Sequence, residues 1–216
     1  MAPELDFAVE EVAAMPYTAA PTLAIRLRVT SAGPEEVRGV ALDCQVRIEA
    51  GRRRYAAGER DRLLELFDEP ARWAQTVRSL LWTHAHVNVP PFSAGALVDL
   101  PVPCTYDFDV IAAKYLAALE DGEVPLVLLF SGSVFFASDD GQLRMGRIPW
   151  SKETPCALPV ATWRSLMEAH FPNTAWLRVR RDVFDRLVAY RSRQGALGWD
   201  DAMERLLAVV EEARPR

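Results

Sequence analysis

Two histidines set two residues apart carry the most explicit chemical potential in this sequence. His84 and His86 lie in LWTHAHVNV (81–89), where apolar and polar residues alternate as in a strand. At that spacing their rings share one face, ~6–7 Å apart, and two neutral imidazoles so placed can ligate one metal ion. A third ligand must come from a neighbouring strand or from His170, since no HExxH and no cysteine cluster occurs. The alternation groups Trp82, His84, His86 and Asn88 against Ala85, Val87 and Val89. Histidines facing solvent or a packed helix beside Trp82 are therefore the simpler reading, with metal handling by His84 and His86 as an alternative.

Asp99, Asp107 and Asp109 form a second candidate group. They share the outward face of LVDLPVPCTYDFD (97–109), opposite Val98, Leu100, Val102, Cys104, Tyr106 and Phe108. Paired carboxylates work as acid and base only where their surroundings pull their pKa values apart. A water-facing row gives no such difference, and negative decoration of an edge strand is the better expectation. Arg52, Arg53 and Arg54 read as a solvated basic turn. The thiols Cys44 and Cys104 fall at inward strand positions and, with Cys156, form no CxxC pair, so free core cysteines are expected. No phosphate-binding glycine loop, G-x-S-x-G elbow or informative Cys–His spacing appears. The sequence thus names no catalytic residue and no cofactor, and a non-enzymatic protein is expected.

Alternation defines the elements that position these groups. Strands are expected at 5–9, at 22–30 (Leu23, Ile25, Leu27 and Val29 inward), and at 37–49 (Val40, Leu42, Cys44, Val46 and Ile48 inward). The second and third are joined by SAGPEE and read as an antiparallel hairpin. Helix spacing follows at about 58–80, in GERDRLLELF and in Trp73, Val77 and Leu80. Strands 81–89 and 97–109 come next, and Pro101 and Pro103 make the latter a sheet edge because both remove N–H donors from the same side. Residues 110–119 could be strand or helix. Strand 124–136 is apolar on both faces, as a deeply buried strand is, and the glycine of Ser131-Gly132-Ser133 suits close packing or a bulge. A hairpin turn leads to the seventh strand, 142–149. Seven strands without a βαβ rhythm predict an α+β protein, with an antiparallel β-sandwich-like part over 1–157 and a C-terminal helical segment over 158–216 packed on it.

Within that segment, a strand-like piece at Trp176–Arg180, a helix from Asp182, a turn at Gly195 and a helix from Trp199 are similar to a ribbon-helix-helix unit over 174–213. In that family two chains pair their strands and outward side chains enter the DNA major groove. Trp176, Arg178 and Arg180 would hold those outward positions, and arginines there can read guanine. A dimeric DNA-binding regulator is one reading; helices that cap the sandwich are the other.

Half of the 216 residues are hydrophobic and a quarter charged, as in ordinary globular proteins, and the net charge of −5 gives no general attraction for nucleic acid or anionic membrane. No apolar run reaches the ~18–20 residues of a membrane span. The acidic start MAPELDFAVEE lacks the apolar stretch of a secretory signal, so a cytoplasmic protein is expected.

Three stretches together carry a resemblance over nearly the whole chain: VDLPVPCTYDFDVIAAKYLAALEDGEVPLVLLFSGSVFF, ALPVATWRSLMEAHFPNTAWLRVRRDVFDRL and GWDDAMERLL. They resemble an uncharacterised family of about this length from high-GC Gram-positive bacteria, a domain of unknown function encoded near [NiFe]-hydrogenase genes. The resemblance implies an accessory or maturation factor that binds a protein partner such as a hydrogenase subunit. It implies no catalytic residues. The surfaces around Trp82, His84 and His86, and around Trp150, Trp176 and Arg178, are then the expected interface, because aromatics and arginine concentrate at binding sites.

Overall fold

The computed structural model describes residues 2–33, 36–105, 107, 110–138, 141–174 and 178–212. Among them eight strands form two antiparallel sheets and six helices accompany them. In chain order they are β1 (Glu4–Ala14), β2 (Thr22–Ala32), β3 (Val37–Ile48), α1 (Ala57–Phe67), α2 (Trp73–Thr76), β4 (Leu80–Val89), β5 (Gly95–Pro103), α3 (Ile111–Ala118), β6 (Glu123–Ala137), β7 (Leu143–Arg147), β8 (Glu153–Pro159), α4 (Val160–His170), α5 (Arg181–Arg193) and α6 (Trp199–Glu212). The α+β class and the antiparallel β-rich part agree with the sequence. By contacts the chain divides into Met1–Trp176 and Leu177–Arg216, so α4 belongs with the strands.

The first sheet has the order β1-β2-β5; the second runs β4-β3-β6-β7, with β8 also pairing β6. β2 and β3 therefore do not form the expected hairpin. β2 is the middle strand of the first sheet, and β3 lies between β4 and β6 in the second. The reason is the inward faces: Leu23, Ile25, Leu27 and Val29 on β2, and Val40, Leu42, Cys44, Val46 and Ile48 on β3, are all buried in one shared core. Facing each other across that core buries both rows at once, whereas side-by-side pairing would not close it.

β6 joins the larger sheet together. It pairs β3 from Ile48↔Leu126 to Val37↔Phe136 along one side, and β8 and then β7 along the other. Gly132 is required in its middle. At φ +128° a Cβ there would sit 2.0 Å from the Ala41 carbonyl oxygen. β5 is an edge as its prolines imply, pairing among the described residues with β2 alone, with Pro101 opposite Ala24 and Pro103 opposite Thr22. It stops at Pro103 rather than 109; Tyr106, Phe108 and Asp109 lie outside the described residues.

Across the other side of the sandwich, β1 meets β8. Thr154 Oγ1 donates to the Phe7 carbonyl at 2.8 Å, Lys152 bridges Glu4 and Asp6 at 3.0 and 2.8 Å, and Phe7 stacks on Phe130 at 4.3 Å. α3 occupies the ambiguous 110–119 segment and buries Tyr115 and Leu116, while α4 buries Trp163, Leu166 and Met167. The helical insertion is shorter than its spacing suggests: α2 ends at Thr76, and Leu80 already begins β4. β8 is an eighth strand beyond the seven expected.

Candidate interaction surface

The two histidines stand on the outer face of β4 beside β3. Register places His86 opposite Asp43 and His84 opposite Gln45. His86 Nδ1 donates to Asp43 Oδ1 at 3.1 Å, and Gln45 Nε2 lies 3.1 Å from His84 Nε2, so the amide donates to a ring nitrogen whose proton is on Nδ1. His170 is elsewhere, its ring against the carbonyls of Leu166 and Thr18. Among the described residues no group of three His, Cys, Asp or Glu side chains is placed to hold a metal ion. The histidine pair thus sits in a solvated polar row.

Trp82 leaves that row. Thr83 pairs with Val46 but Leu81 pairs with Arg47, so Trp82 is the extra residue of a bulge. The bulge reverses the alternation. Trp82 and Leu80 pack against the core and Leu81 is turned outward. The expected cluster of Trp82 with His84 and His86 is therefore split between the two faces of β4.

Trp150 has the opposite fate. It lies in the turn between β7 and β8 and is 89% exposed. Two residues that pattern alone did not single out accompany it on the same sheet edge: Leu143, 67% exposed, and Met145, 59% exposed. Register sets Met145 beside Phe135 and Leu143 beside Ala137, so the outward row of β6 extends the apolar surface inward from the edge. β7 is the last strand in its sheet, and its outer side pairs with no other strand among the described residues.

Only part of the expected strand-like piece is described, and in a single chain. Arg178, Val179 and Arg180 carry no strand structure, and Trp176 lies outside the described residues. Arg180 instead occupies the N-cap position of α5, with Nη2 donating to Asp182 Oδ2 at 2.9 Å. Arg178 is exposed.

Asp99 is held by Arg26 on β2, Nε to Oδ1 at 2.9 Å and Nη2 to Oδ2 at 3.4 Å, a cross-strand pair rather than a catalytic carboxylate. Cys44, Cys104 and Cys156 are free thiols. Burial pushes each up to about 12, with neighbouring Cys156 adding to the effect on Cys44, so none is a poised nucleophile.

The arginine turn is the solvated loop expected at Arg52 and Arg54, which are exposed, but not at Arg53. Arg53 is buried against Glu59, whose side chain is 3% exposed. Arg53 Nη2 reaches Glu59 Oε1 at 2.7 Å and the Asp121 carbonyl, and Nη1 reaches the Glu123 carbonyl at 2.6 Å. Glu59 also accepts the backbone N–H of Glu120 at 2.8 Å and of Ala56 at 2.9 Å, which caps α1. Burial by itself would raise the Glu59 carboxyl pKa; the two N–H groups and the guanidinium outweigh it and bring it below the ordinary value. The pair lines a cleft of about 520 Å³ with Arg52, Arg54, Glu120 and Asp121, whose mixed charges favour neither anion nor cation. It is a structural tie between the 50–59 segment and the turn before β6.

No helix among the described residues is long and apolar enough to cross a membrane. No curated protein matches the chain. A family profile matches residues 2–215, and the chain accordingly belongs to DUF6084, a family of unknown function.

Proposed function

We propose that this is a non-enzymatic accessory protein that binds a protein partner through the exposed edge of its larger sheet. The supporting observation is the row Leu143, Met145 and Trp150, the first two on β7 and the third in the turn that follows it, all more than half exposed. Large apolar side chains gathered at one place on a water-facing surface are characteristic of interaction sites. An open strand edge adds backbone donors and acceptors that an extended peptide can pair with. Buried or half-buried thiols, solvated histidines and a structural ion pair leave this edge as the surface best suited to recognition. The resemblance to proteins encoded beside [NiFe]-hydrogenase genes makes a hydrogenase subunit the first partner to test, in the cytoplasm, where three free thiols stay reduced.

The test is titration of purified hydrogenase subunits with the full chain. Trp150→Ala and Met145→Asp should each weaken binding by on the order of 10-fold or more, as loss of a central interface residue does. His84→Ala/His86→Ala should leave it unchanged. Equal binding by all variants, or no binding by any subunit, would refute the proposal.

A further inference from the structure

The unit Leu177–Arg216 contains α5 and α6, whose apolar residues are largely uncovered. α5 has no buried residue, and of the residues described in α6 only Ala202 is buried. The two helices touch through Phe184 and Trp199, rings 5.3 Å apart, and through Arg191, whose guanidinium lies 4.3 Å over Trp199. Arg205 Nη1 ties α6 to the Gln194 carbonyl at 2.7 Å. Beside this contact runs a groove of about 580 Å³, floored by Val183, Leu187, Tyr190 and Leu206 and flanked by Arg186 and Arg193. On α6, Leu207, Val209 and Val210 are each 61% exposed.

The charges of the two helices are opposite. α5 has four arginines against two aspartates, a formal +2; α6 has five carboxylates against one arginine, a formal −4. Their flanking charges also match in spacing. Arg186 and Arg193 are seven residues apart on one face of α5, and Glu204 and Glu211 are seven apart on the face of α6 that carries Leu207. Seven residues of helix are ~10.5 Å, close to two turns, so both pairs present charges at the same interval.

From this we infer that the α5–α6 hairpin is a self-association surface, on which a second copy of this chain completes a four-helix bundle. One hairpin contains both halves of the contact: an apolar groove with a basic rim, and an apolar helix face with an acidic rim. A two-fold axis sets each half against the other and forms the contact twice, which is the requirement of an isologous interface. Two helices of 13 and 14 residues bury little by themselves. Four of that length enclose a core, with Leu207 and Val210 of each chain entering the groove of the other. A heterologous partner would need only one sign of charge, and the hairpin offers both.

Sedimentation equilibrium of the full chain tests this. The wild type should be a dimer at micromolar concentration. Arg186→Glu/Arg193→Glu makes the flanking charges of both helices acidic, and Glu204→Arg/Glu211→Arg makes them basic on both, with α6 then formally neutral; each should self-associate on the order of 100-fold more weakly. Mixing the two should restore a 1:1 dimer, because both contacts are then complementary. That recovery separates repulsion from misfolding, and far-UV circular dichroism of each variant should overlay the wild type. A wild type that stays monomeric across 1–100 μM (about the range spanning typical weak dimers) overturns the proposal. So does a dimer unaffected by both charge reversals, or two folded variants that do not associate when mixed.

Discussion

Replacing Glu59 by Gln keeps the side chain's size and removes its charge, and the arrangement around it sets the consequence. In the wild type, Oε1 accepts from Arg53 and from the Glu120 N–H, while Oε2 accepts from the Ala56 N–H. The glutamine oxygen can replace only one of those two acceptors; its NH2 group must then face a donor. Arg53, its side chain 8% exposed, is left without a counter-charge. Breaking a buried pair from one side costs about 3–5 kcal/mol. For a chain of this size, 2–4 °C per kcal/mol converts this to a fall in Tm of about 6–20 °C. Thermal denaturation followed by circular dichroism reads it directly. A double variant, Arg53→Met/Glu59→Leu, should lose much less than the sum of the two single losses, since the stranded charge is gone. The pH dependence has a defined sign. Because the carboxyl pKa is held below 4.5 in the folded protein, its contribution is fully present above 4.5 and disappears as pH falls through the folded value. The Tm difference between wild type and Glu59→Gln should therefore be largest near neutrality and close in acid. A Gln variant within 2 °C of wild type at neutral pH (under ~1 kcal/mol), or a gap that widens in acid, would refute the assignment of this pair as a buried structural tie.

Two further outcomes can be checked on the same apparatus. Gly132→Ala should cost about 3 kcal/mol or more, because the new methyl meets the Ala41 carbonyl oxygen and φ +128° strains any side chain; a Tm near wild type would show that β3 and β6 can part there. Cys44 and Cys104 should resist a disulfide reagent at pH 8 in the native protein and react on unfolding, since both are buried and burial pushes each up to about 12. Reaction of either in the folded state would contradict its placement.

How far the sequence reveals the fold depends on whether the deciding contact is local. Strict alternation in β2, β3 and β5 located those strands, and the prolines at 101 and 103 marked the edge, because both signals concern each strand's own two sides. Partnership is not local, so the same alternation suited a β2–β3 hairpin as well as two facing sheets. Trp82 shows the most sensitive case: one extra residue at the bulge reverses every inward position beyond it. Arg53 was illegible for a related reason. An Arg-Arg-Arg run looks solvated, and what buries its middle member comes from carbonyls 68 and 70 residues away. β8, seven residues with two prolines, has too weak a pattern to announce itself. The exposed row at β7 needed the structure as well, since the pattern of 142–149 assigns Leu143 and Met145 to no face until their register with Ala137 and Phe135 is known.

The position of β6 has a consequence for the nascent chain. β3 ends at Ile48, but its partners along one side are residues 126–136, and β2 finds β5 only at residues 95–103. At ~5–20 residues per second, Ile48 leaves the ribosome about 4–18 s before Phe136 follows. β2 lacks one neighbour until residue 103 is made, while β3 at first lacks both β4 and β6 and still lacks β6 until residue 136 follows. Charges on their opposite faces, Arg26 and Arg28 on β2 and Asp43 and Arg47 on β3, keep those waiting strands from pairing with other chains. The same residues that look decorative in the finished sheet are thus protective during synthesis.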